Sequence, residues 1–186
     1  MARHQKKAEE EGRTLVFIDE SAFYLLPAVV RTYAPRGKTP VLRHKLTREH
    51  LSAISGITPD GQLYMMVQDG SICSLDVIVF LQHLMEEVEG KLLIVWDGGA
   101  IHHSDVIRDF LANGAAHRLH LERLPGYAPE LNPDEGIWSH LKYGELPNLP
   151  CRDALHLFSE LRMAAARLRG KPHVIRGCFS QAGLEV

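Results

Sequence analysis

Three acidic residues lie where a strand or a helix is predicted to begin or end. Asp19 directly follows the apolar run at residues 14–18, and Asp97 directly follows the apolar run at residues 91–96. Glu135 follows a proline-rich loop and stands in the first turn of a predicted helix. Because sites in open α/β sheets form at the carboxyl ends of strands, the carboxylates of Asp19 and Asp97 should converge if their strands are neighbours.

Carboxylates gathered in one place repel one another, and divalent cations relieve that repulsion. Oxygen donors favour Mg²⁺, with Mn²⁺ as a substitute, over zinc. Two such ions can activate a water or a 3′-hydroxyl and stabilise the leaving oxygen of a phosphodiester. The sequence contains no GxSxG, P-loop, GxGxxG or HExxH motif, which disfavours the chemistries that depend on them. The acids therefore indicate two-metal phosphodiester chemistry.

Each acid also has a purely structural interpretation, which local rules leave open. Asp19 could be a turn residue at a strand end, and Asp97 could open a tight turn with the two glycines that follow it. Glu135 could complete a capping box in which Asn132 is the N-cap and Pro133 is the first helical residue. Capping and metal binding are compatible for Glu135, since a cap would hold its carboxylate at a fixed helix start.

The order of the predicted elements indicates an α/β fold. A first strand is followed by a hairpin with a Pro-Asp-Gly turn at residues 59–61, and then by alternating helices and strands. This order predicts a mixed sheet with helices on both faces, compatible with a ribonuclease-H-like fold. The predicted strands are residues 14–18, 50–57, 63–67, 91–96 and 119–124, and the predicted helices are residues 75–88, 104–113, 134–143 and 154–168.

Local signals also set the predicted boundaries of the domain and of one helix. We expect Ser74 to cap the helix at residues 75–88. Residues 1–13 carry many charges and should form a helical lead-in or linker. Residues 14–186 should then form one folded domain, as expected for a chain of this length.

Positive charge is concentrated in two segments of a chain whose net charge is −2. Residues 31–50 carry six Lys or Arg side chains against one acid, and residues 152–176 carry six against two. Such segments can bind a polyanion, although two solvated faces are the alternative. The candidate phosphate contacts are Arg31, Arg36, Lys38, Arg43, Lys45, His102, His103 and Lys142.

Composition excludes several other classes of protein. No apolar run reaches the 18 residues that a membrane span needs, so no membrane partner is expected. The three cysteines form no CxxC pair and are odd in number, which favours reduced thiols in a cytoplasmic protein over a disulfide framework or a zinc site.

Three sequence blocks resemble the catalytic domain of bacterial insertion-sequence transposases of the Tc/mariner superfamily, the DDE transposases. The blocks are residues 17–21 (FIDES), 96–104 (WDGGAIHHS) and 127–138 (YAPELNPDEGIW). Residues 31–40 (RTYAPRGKTP) also resemble the family's loop after the first strand. The third block is the most specific, because a proline-rich loop leading into Asn-Pro-x-Glu-x-x-Trp is rare by chance.

The resemblance, which covers roughly residues 10–170, implies a ribonuclease-H-like fold, DNA cleavage and strand transfer. It implies that Asp19, Asp97 and Glu135 are the catalytic acids and hold two Mg²⁺ ions, which Mn²⁺ can replace. Asp97 and Glu135 are separated by 37 residues, a few more than is usual in the family. Gly98 stands where many relatives have Asn, which puts one polar contact in question but leaves the acid set intact.

The resemblance also implies partners. These are the DNA of the element ends and of the target, a second copy of the chain when bound to DNA, and a helix-turn-helix module. Because the chain begins close to the first catalytic strand, we expect that module upstream, in cis or joined by a frameshift fusion, in a protein of the bacterial cytoplasm and nucleoid. An inactive or partial relic that only binds DNA or subunits, and a related ribonuclease-H-like nuclease, are the alternatives.

Overall fold

A mixed five-stranded sheet forms the centre of the protein in a computed structural model that describes residues 2–42, 47–126 and 128–184. Its strands are β1 (Arg13–Tyr24), β2 (His50–Ile57), β3 (Leu63–Asp69), β4 (Lys91–Trp96) and β5 (Leu119–Arg123). Their spatial order is β3-β2-β1-β4-β5. The first three strands pair antiparallel, whereas β4 runs parallel to both β1 and β5. The predicted mixed α/β sheet is therefore confirmed.

Helices cover both faces of this sheet. They are α1 (Ala2–Glu10), α2 (Ser74–Glu87), α3 (Asp105–Ala112), α4 (Asp134–Ser139), α5 (Ala154–Arg169) and α6 (Pro172–Gln181). Short 3-10 turns lie at Ala100–His103, Ala115–His117 and Pro129–Leu131, and a π-helix at His140–Glu145 continues directly from α4. Among the described residues, no helix is long and apolar enough to cross a membrane.

Alternation along the central strands divides the core into two layers. Phe17 and Phe23 of β1 face the layer that contains α4, α5 and α6. Val16 and Ile18 face the opposite layer, which contains α2 and α3. Because successive side chains of a strand point to opposite faces, consecutive polar residues further along β1 lie in different core layers.

Two local expectations are corrected by the structure. β1 does not end at Ile18 but runs to Tyr24, because β2 pairs with it in register as far as Tyr24 and His50. Helix α2 is capped by Cys73 rather than Ser74, and the Asp76 carboxylate accepts a hydrogen bond from the Cys73 backbone N–H at 2.8 Å. The hydroxyl of Ser74 instead donates to the carbonyl of Ile101 at 2.8 Å.

The charged lead-in forms the expected helix but is not a free linker. Ala8 of α1 is buried in the same core layer as Phe17. His4 lies 3.1 Å from Glu122 of β5, and the ammonium of Lys7 donates to the same carboxylate. These contacts attach α1 to the sheet, so the folded unit begins before residue 14.

The start of α4 packs closely against α6 at one glycine. A Cβ at Gly136 would lie 2.7 Å from the Cys178 Sγ and 3.0 Å from its Cβ, closer than side chains approach. We expect Gly136→Ala to lower the free energy of unfolding by about 1–3 kcal/mol, because α4 must move away from α6.

Chemical denaturation of the variant measures this effect. Gly177→Ala is the matched control, since a Cβ at Gly177 of α6 meets nothing within 4 Å. Cys178→Ala in the Gly136→Ala background should recover part of the loss. A Gly136→Ala protein as stable as the wild type would show that the two helices are not held in this contact.

Candidate active site

Asp19 lies in the middle of β1, on the face that packs against α4. The indole Nε1 of Trp138 donates a hydrogen bond to the Asp19 Oδ2 at 2.8 Å. Burial raises the pKa of Asp19 to about 7, and the charges of Glu20 and Glu135 add to this rise, whereas the Trp138 hydrogen bond opposes it. Trp138 is buried, and a buried indole N–H needs an acceptor, which Asp19 supplies.

Glu135 lies in the first turn of α4 with its side chain exposed. The predicted capping box does not form, because the Asn132 backbone N–H donates to the Pro129 carbonyl at 2.9 Å. The Asn132 side chain instead accepts from the Asp134 backbone N–H at 3.2 Å. The negative charge of Glu135 adds to the rise in the pKa of Asp19, and it opposes the lowering of the Lys142 pKa by burial. The structure thus brings the first and third predicted acids together.

Asp97 directly follows β4, as predicted. The parallel register pairs Arg13 with Lys91 and Phe17 with Val95, and continued by two residues it places Asp19 opposite Asp97. The Asp97 carboxylate, however, is turned toward its own loop. Its Oδ1 accepts from the Gly99 backbone N–H at 2.7 Å and lies 3.3 Å from the Nε2 of His102.

His102 links Asp97 to the opposite face of β1. Its Nε2 also lies 3.4 Å from the Glu20 carboxylate, and its ring stacks on Trp96 with centroids 4.4 Å apart. The imidazole is 2% exposed, which leaves no surface for the direct phosphate contact that the sequence predicts for it. Its position indicates that it holds the loop of Asp97.

Asp134, next to Glu135 in the sequence, is a functional candidate that the sequence analysis does not single out. It is fully buried, and the hydroxyl of Ser55 in β2 donates to its Oδ1. Burial and the nearby charge of Asp19 raise its pKa well above the usual range. No local pattern distinguishes Asp134 from Glu135, because the burial of one and the exposure of the other depend on how α4 packs against β2.

Lys142, one of the predicted phosphate contacts, lies on the π-helix that follows α4. Its Nζ donates to the Ser21 hydroxyl at 2.7 Å, and burial lowers its pKa while Glu135 and Asp19 oppose that fall. Lys142 is therefore half-buried beside the carboxylates.

The other predicted DNA contacts lie in different surroundings. Arg31, Arg36 and Lys38 are exposed in the long connection between β1 and β2. Arg43 and Lys45 lie outside the described residues. His103 is partly buried, and burial and the charge of Arg123 lower the pKa of its imidazole.

The acids present a donor set that can be compared with the needs of a divalent cation. Asp19 and Glu135 offer only oxygen donors, and burial together with the charges of Glu20 and Glu135 raises the pKa of Asp19, a cost that a bound cation would relieve. Among the described residues, no three His, Cys, Asp or Glu side chains close around one point. The oxygen donors of Asp19 and Glu135 suit a hard cation by their chemistry. Asp97 could join them only if its carboxylate turned away from Gly99 and His102.

The fold and the site define a ribonuclease-H-like domain with a carboxylate centre at the middle of its sheet. The DDE superfamily endonuclease family matches residues 14–156 of the chain, which include all three acids. The chain belongs to this family of DDE superfamily endonucleases, whose fold implies the use of divalent metal. None of the curated proteins matches the sequence.

Solved structures of the Mos1 mariner transposase share the fold. The catalytic domain of Mos1 has a TM-score of 0.57 at 12% identity, with 100% of this chain and 89% of that chain covered. The Mos1 paired-end complex with Mg has a TM-score of 0.64 at 16% identity, and the complex with Mn has 0.63 at 14%. This chain is fully covered in both, but it spans only 59% and 60% of those longer transposase chains.

The raised pKa of Asp19 predicts how pH and metal affect stability. The folded carboxyl keeps its proton to about pH 7, whereas the unfolded one loses it near 4. The Asp19 contribution to the free energy of unfolding therefore falls as pH rises from about 4 to about 7. Asp19→Asn should remove this contribution, so the metal-free variant should melt at a higher temperature than the wild type at pH 8 but not at pH 4.

Addition of Mg²⁺ should narrow this difference in melting temperature. At about 100 times its dissociation constant, Mg²⁺ should raise the melting temperature of the wild type by about 5–10 °C at pH 8 and that of Asp19→Asn by much less. Differential scanning fluorimetry with and without EDTA measures both effects. Equal Mg²⁺ shifts in the two proteins would remove Asp19 from the metal site.

Proposed function

We propose that this chain is the catalytic domain of a DNA transposase, which cuts phosphodiester bonds at element ends and joins the cut strand to target DNA. The observation that carries the proposal is that α4 is tied to β1 by the hydrogen bond from Trp138 to Asp19, so that the charge of Glu135 in α4 acts on Asp19. Asp97 directly follows β4, whose parallel register with β1 leads toward Asp19. Membership in the DDE superfamily endonucleases supports it. The relatives with this fold include Mos1 transposase complexes that contain paired ends and transferred strands.

We assign Asp19, Asp97 and Glu135 as the metal ligands of this site. Two Mg²⁺ ions, or Mn²⁺ in their place, would supply charge that polarises a phosphodiester and lowers the pKa of an attacking water or 3′-hydroxyl. The carboxylate-only donor set supports this choice of cation over zinc. The Mos1 complexes with Mg and with Mn are consistent with the same preference.

Neighbouring side chains orient these acids or place positive charge beside them. The indole of Trp138 fixes the orientation of the Asp19 carboxylate and favours its charged form. The buried imidazole of His102 restrains the Asp97 carboxylate in its loop. To bind a metal beside Asp19, the Asp97 carboxylate would have to turn and give up its contacts with Gly99 and His102. Lys142 brings positive charge to the side where a phosphate would approach.

Duplex DNA is the proposed substrate, bound through phosphate contacts around the acids. The exposed side chains of Arg31, Arg36 and Lys38 support this, and we extend the same role to Arg43, Lys45 and His103. A helix-turn-helix module, in cis or fused by frameshift, would select the element ends. A homodimer on DNA and a location in the bacterial cytoplasm and nucleoid complete the proposal.

Glu135→Gln tests the three-acid mechanism. Gln preserves the shape of the side chain and the start of α4 but removes the negative charge that a cation needs. Nicking of supercoiled plasmid in Mg²⁺ or Mn²⁺ should fall by about two orders of magnitude or more, while the melting temperature without metal holds or rises as repulsion is relieved.

The matched control is Glu130→Gln, an exposed glutamate in the same loop-and-helix block that should nick at the wild-type rate. Joining of a labelled 3′-hydroxyl oligonucleotide to the plasmid separates a transposase from a plain nuclease, which would only hydrolyse. A Glu135→Gln protein that nicks at near the wild-type rate would refute the mechanism.

A further inference from the structure

β3 forms one outer edge of the sheet, since no other strand of the described residues pairs with its outer side. Its register with β2 decides which backbone groups face outward. Beside the turn, the Thr58 N–H donates to the Gln62 carbonyl at 3.3 Å. Because hydrogen-bonded pairs alternate along an antiparallel ladder, every second residue from Tyr64 onward bonds to β2. Met65 and Val67 therefore direct their N–H and C=O groups away from the sheet.

A hydrogen bond at the start of β3 agrees with this assignment. The Nε of Arg169 in α5 donates to the Leu63 carbonyl at 3.0 Å, so this carbonyl also points away from β2. Within the described residues, the backbone groups of Met65 and Val67 have no hydrogen-bond partner. A row of unpaired backbone groups is a template on which another extended chain can add a strand.

The two outer edges of the sheet differ in how they are protected. β5 carries the charged side chains of Glu122 and Arg123, and His4 and Lys7 of α1 contact Glu122. β3 has the sequence LYMMVQD, which contains no Lys, Arg or Pro and carries its one charge on Asp69 at the end. Charged side chains, prolines and covering elements are the features that keep sheet edges from pairing. β3 is therefore the edge that is open to an added strand.

A cavity of about 250 Å³ lies between β3 and α5, beside this edge. Met65, Val67 and Phe158 supply apolar lining, and the exposed side chains of Arg162 and Arg169 also line it. The Arg162 guanidinium lies 5.7 Å from the centroid of the Phe158 ring. The two arginines are separated by two turns of α5, or about 10 Å. The cavity thus combines an apolar floor with two separated positive charges.

We propose that the open edge of β3 binds an extended segment of a partner protein in which one apolar residue lies between two acidic residues on the same face of the strand. The segment pairs with the outward backbone groups of Met65 and Val67, as in other cases of strand addition. Its residues opposite these two project toward α5, because directly paired side chains lie on one face of a sheet. The apolar side chain fills the cavity, and the acidic side chains bind Arg162 and Arg169. This interaction is separate from the function proposed above.

Two other occupants match fewer of these features. A second copy of the chain, paired through its own β3, would bring its Arg162 and Arg169 close to those of the first copy, and like charges oppose that approach. A DNA phosphate would bind the arginines but would use neither the backbone of β3 nor the apolar floor. An extended acidic segment uses the backbone, the floor and the charges together.

Amide hydrogen exchange followed by NMR tests the pairing residue by residue. The probe is the capped peptide Thr-Glu-Thr-Val-Thr-Glu-Thr, added at millimolar concentration to the full isotope-labelled chain. The amides of Met65 and Val67 should exchange rapidly in the free protein and at least about 10-fold more slowly with the peptide. The amides of Tyr64 and Met66, which bond to β2, should exchange slowly with and without it.

Matched peptides and variants separate the backbone from the charges. A peptide with N-methyl valine at its centre loses a backbone donor, and one with Lys in place of Glu reverses the charge. Each should bind at least about 10-fold more weakly, as measured by titration of amide chemical shifts. Arg162→Glu should weaken the acidic peptide by at least about 10-fold and strengthen the Lys peptide. Arg152→Glu is the matched control, since this exposed arginine precedes α5 and lies outside the cavity.

Several results would overturn the proposal. Unchanged exchange at Met65 and Val67 with millimolar peptide, full affinity for the N-methyl peptide, or equal effects of Arg162→Glu and Arg152→Glu would each do so. Protection of Met65 and Val67 that rises with protein concentration in the absence of peptide would assign the edge to a second copy of the chain. Tighter binding of a short DNA duplex than of the peptide, lost in Arg162→Glu but kept in Arg152→Glu, would assign the arginines to nucleic acid.

Discussion

The constraint on which the site depends is electrostatic repulsion among carboxyl groups held inside a folded sheet. Asp19 and Asp134 are buried or nearly so, and Glu20 and Glu135 add negative charge close by. Burial of a carboxylate without a compensating partner is strongly unfavourable. The raised pKa values of both aspartates show that the surrounding protein compensates only part of this cost. A bound divalent cation would compensate the remaining cost of burying these carboxylates.

The neighbouring residues offset part of that repulsion. Trp138 and Ser55 each donate one hydrogen bond to a buried carboxyl, and Lys142 supplies a half-buried positive charge. Gly136 allows α4, which carries Trp138, to approach α6 closely. The same contacts that make the acids tolerable therefore fix their positions, which links the stability of this layer to the geometry of the site.

Strong local patterns made much of this arrangement predictable from sequence. The apolar run before Asp97 gave the correct end of β4, and the Pro-Asp-Gly turn gave the correct β2–β3 hairpin. Asp19 was expected at a strand end but lies inside β1, because pairing with β2 extends the strand beyond its apolar part. The capping box at Glu135 failed because the preceding 3-10 turn occupies the Asn132 backbone N–H. The burial of His102 and Asp134, and the orientation of Asp97, depend on tertiary packing that no local pattern encodes.

A crystal structure of the chain with Mn²⁺, measured at a wavelength where manganese scatters anomalously, tests the central claim most directly. The account predicts anomalous density bounded by the carboxylates of Asp19, Asp97 and Glu135, with Asp97 turned away from Gly99 and His102. Manganese held by other side chains, or absent from Asp19 and Glu135 while Asp97 keeps its contacts with Gly99 and His102, would contradict it.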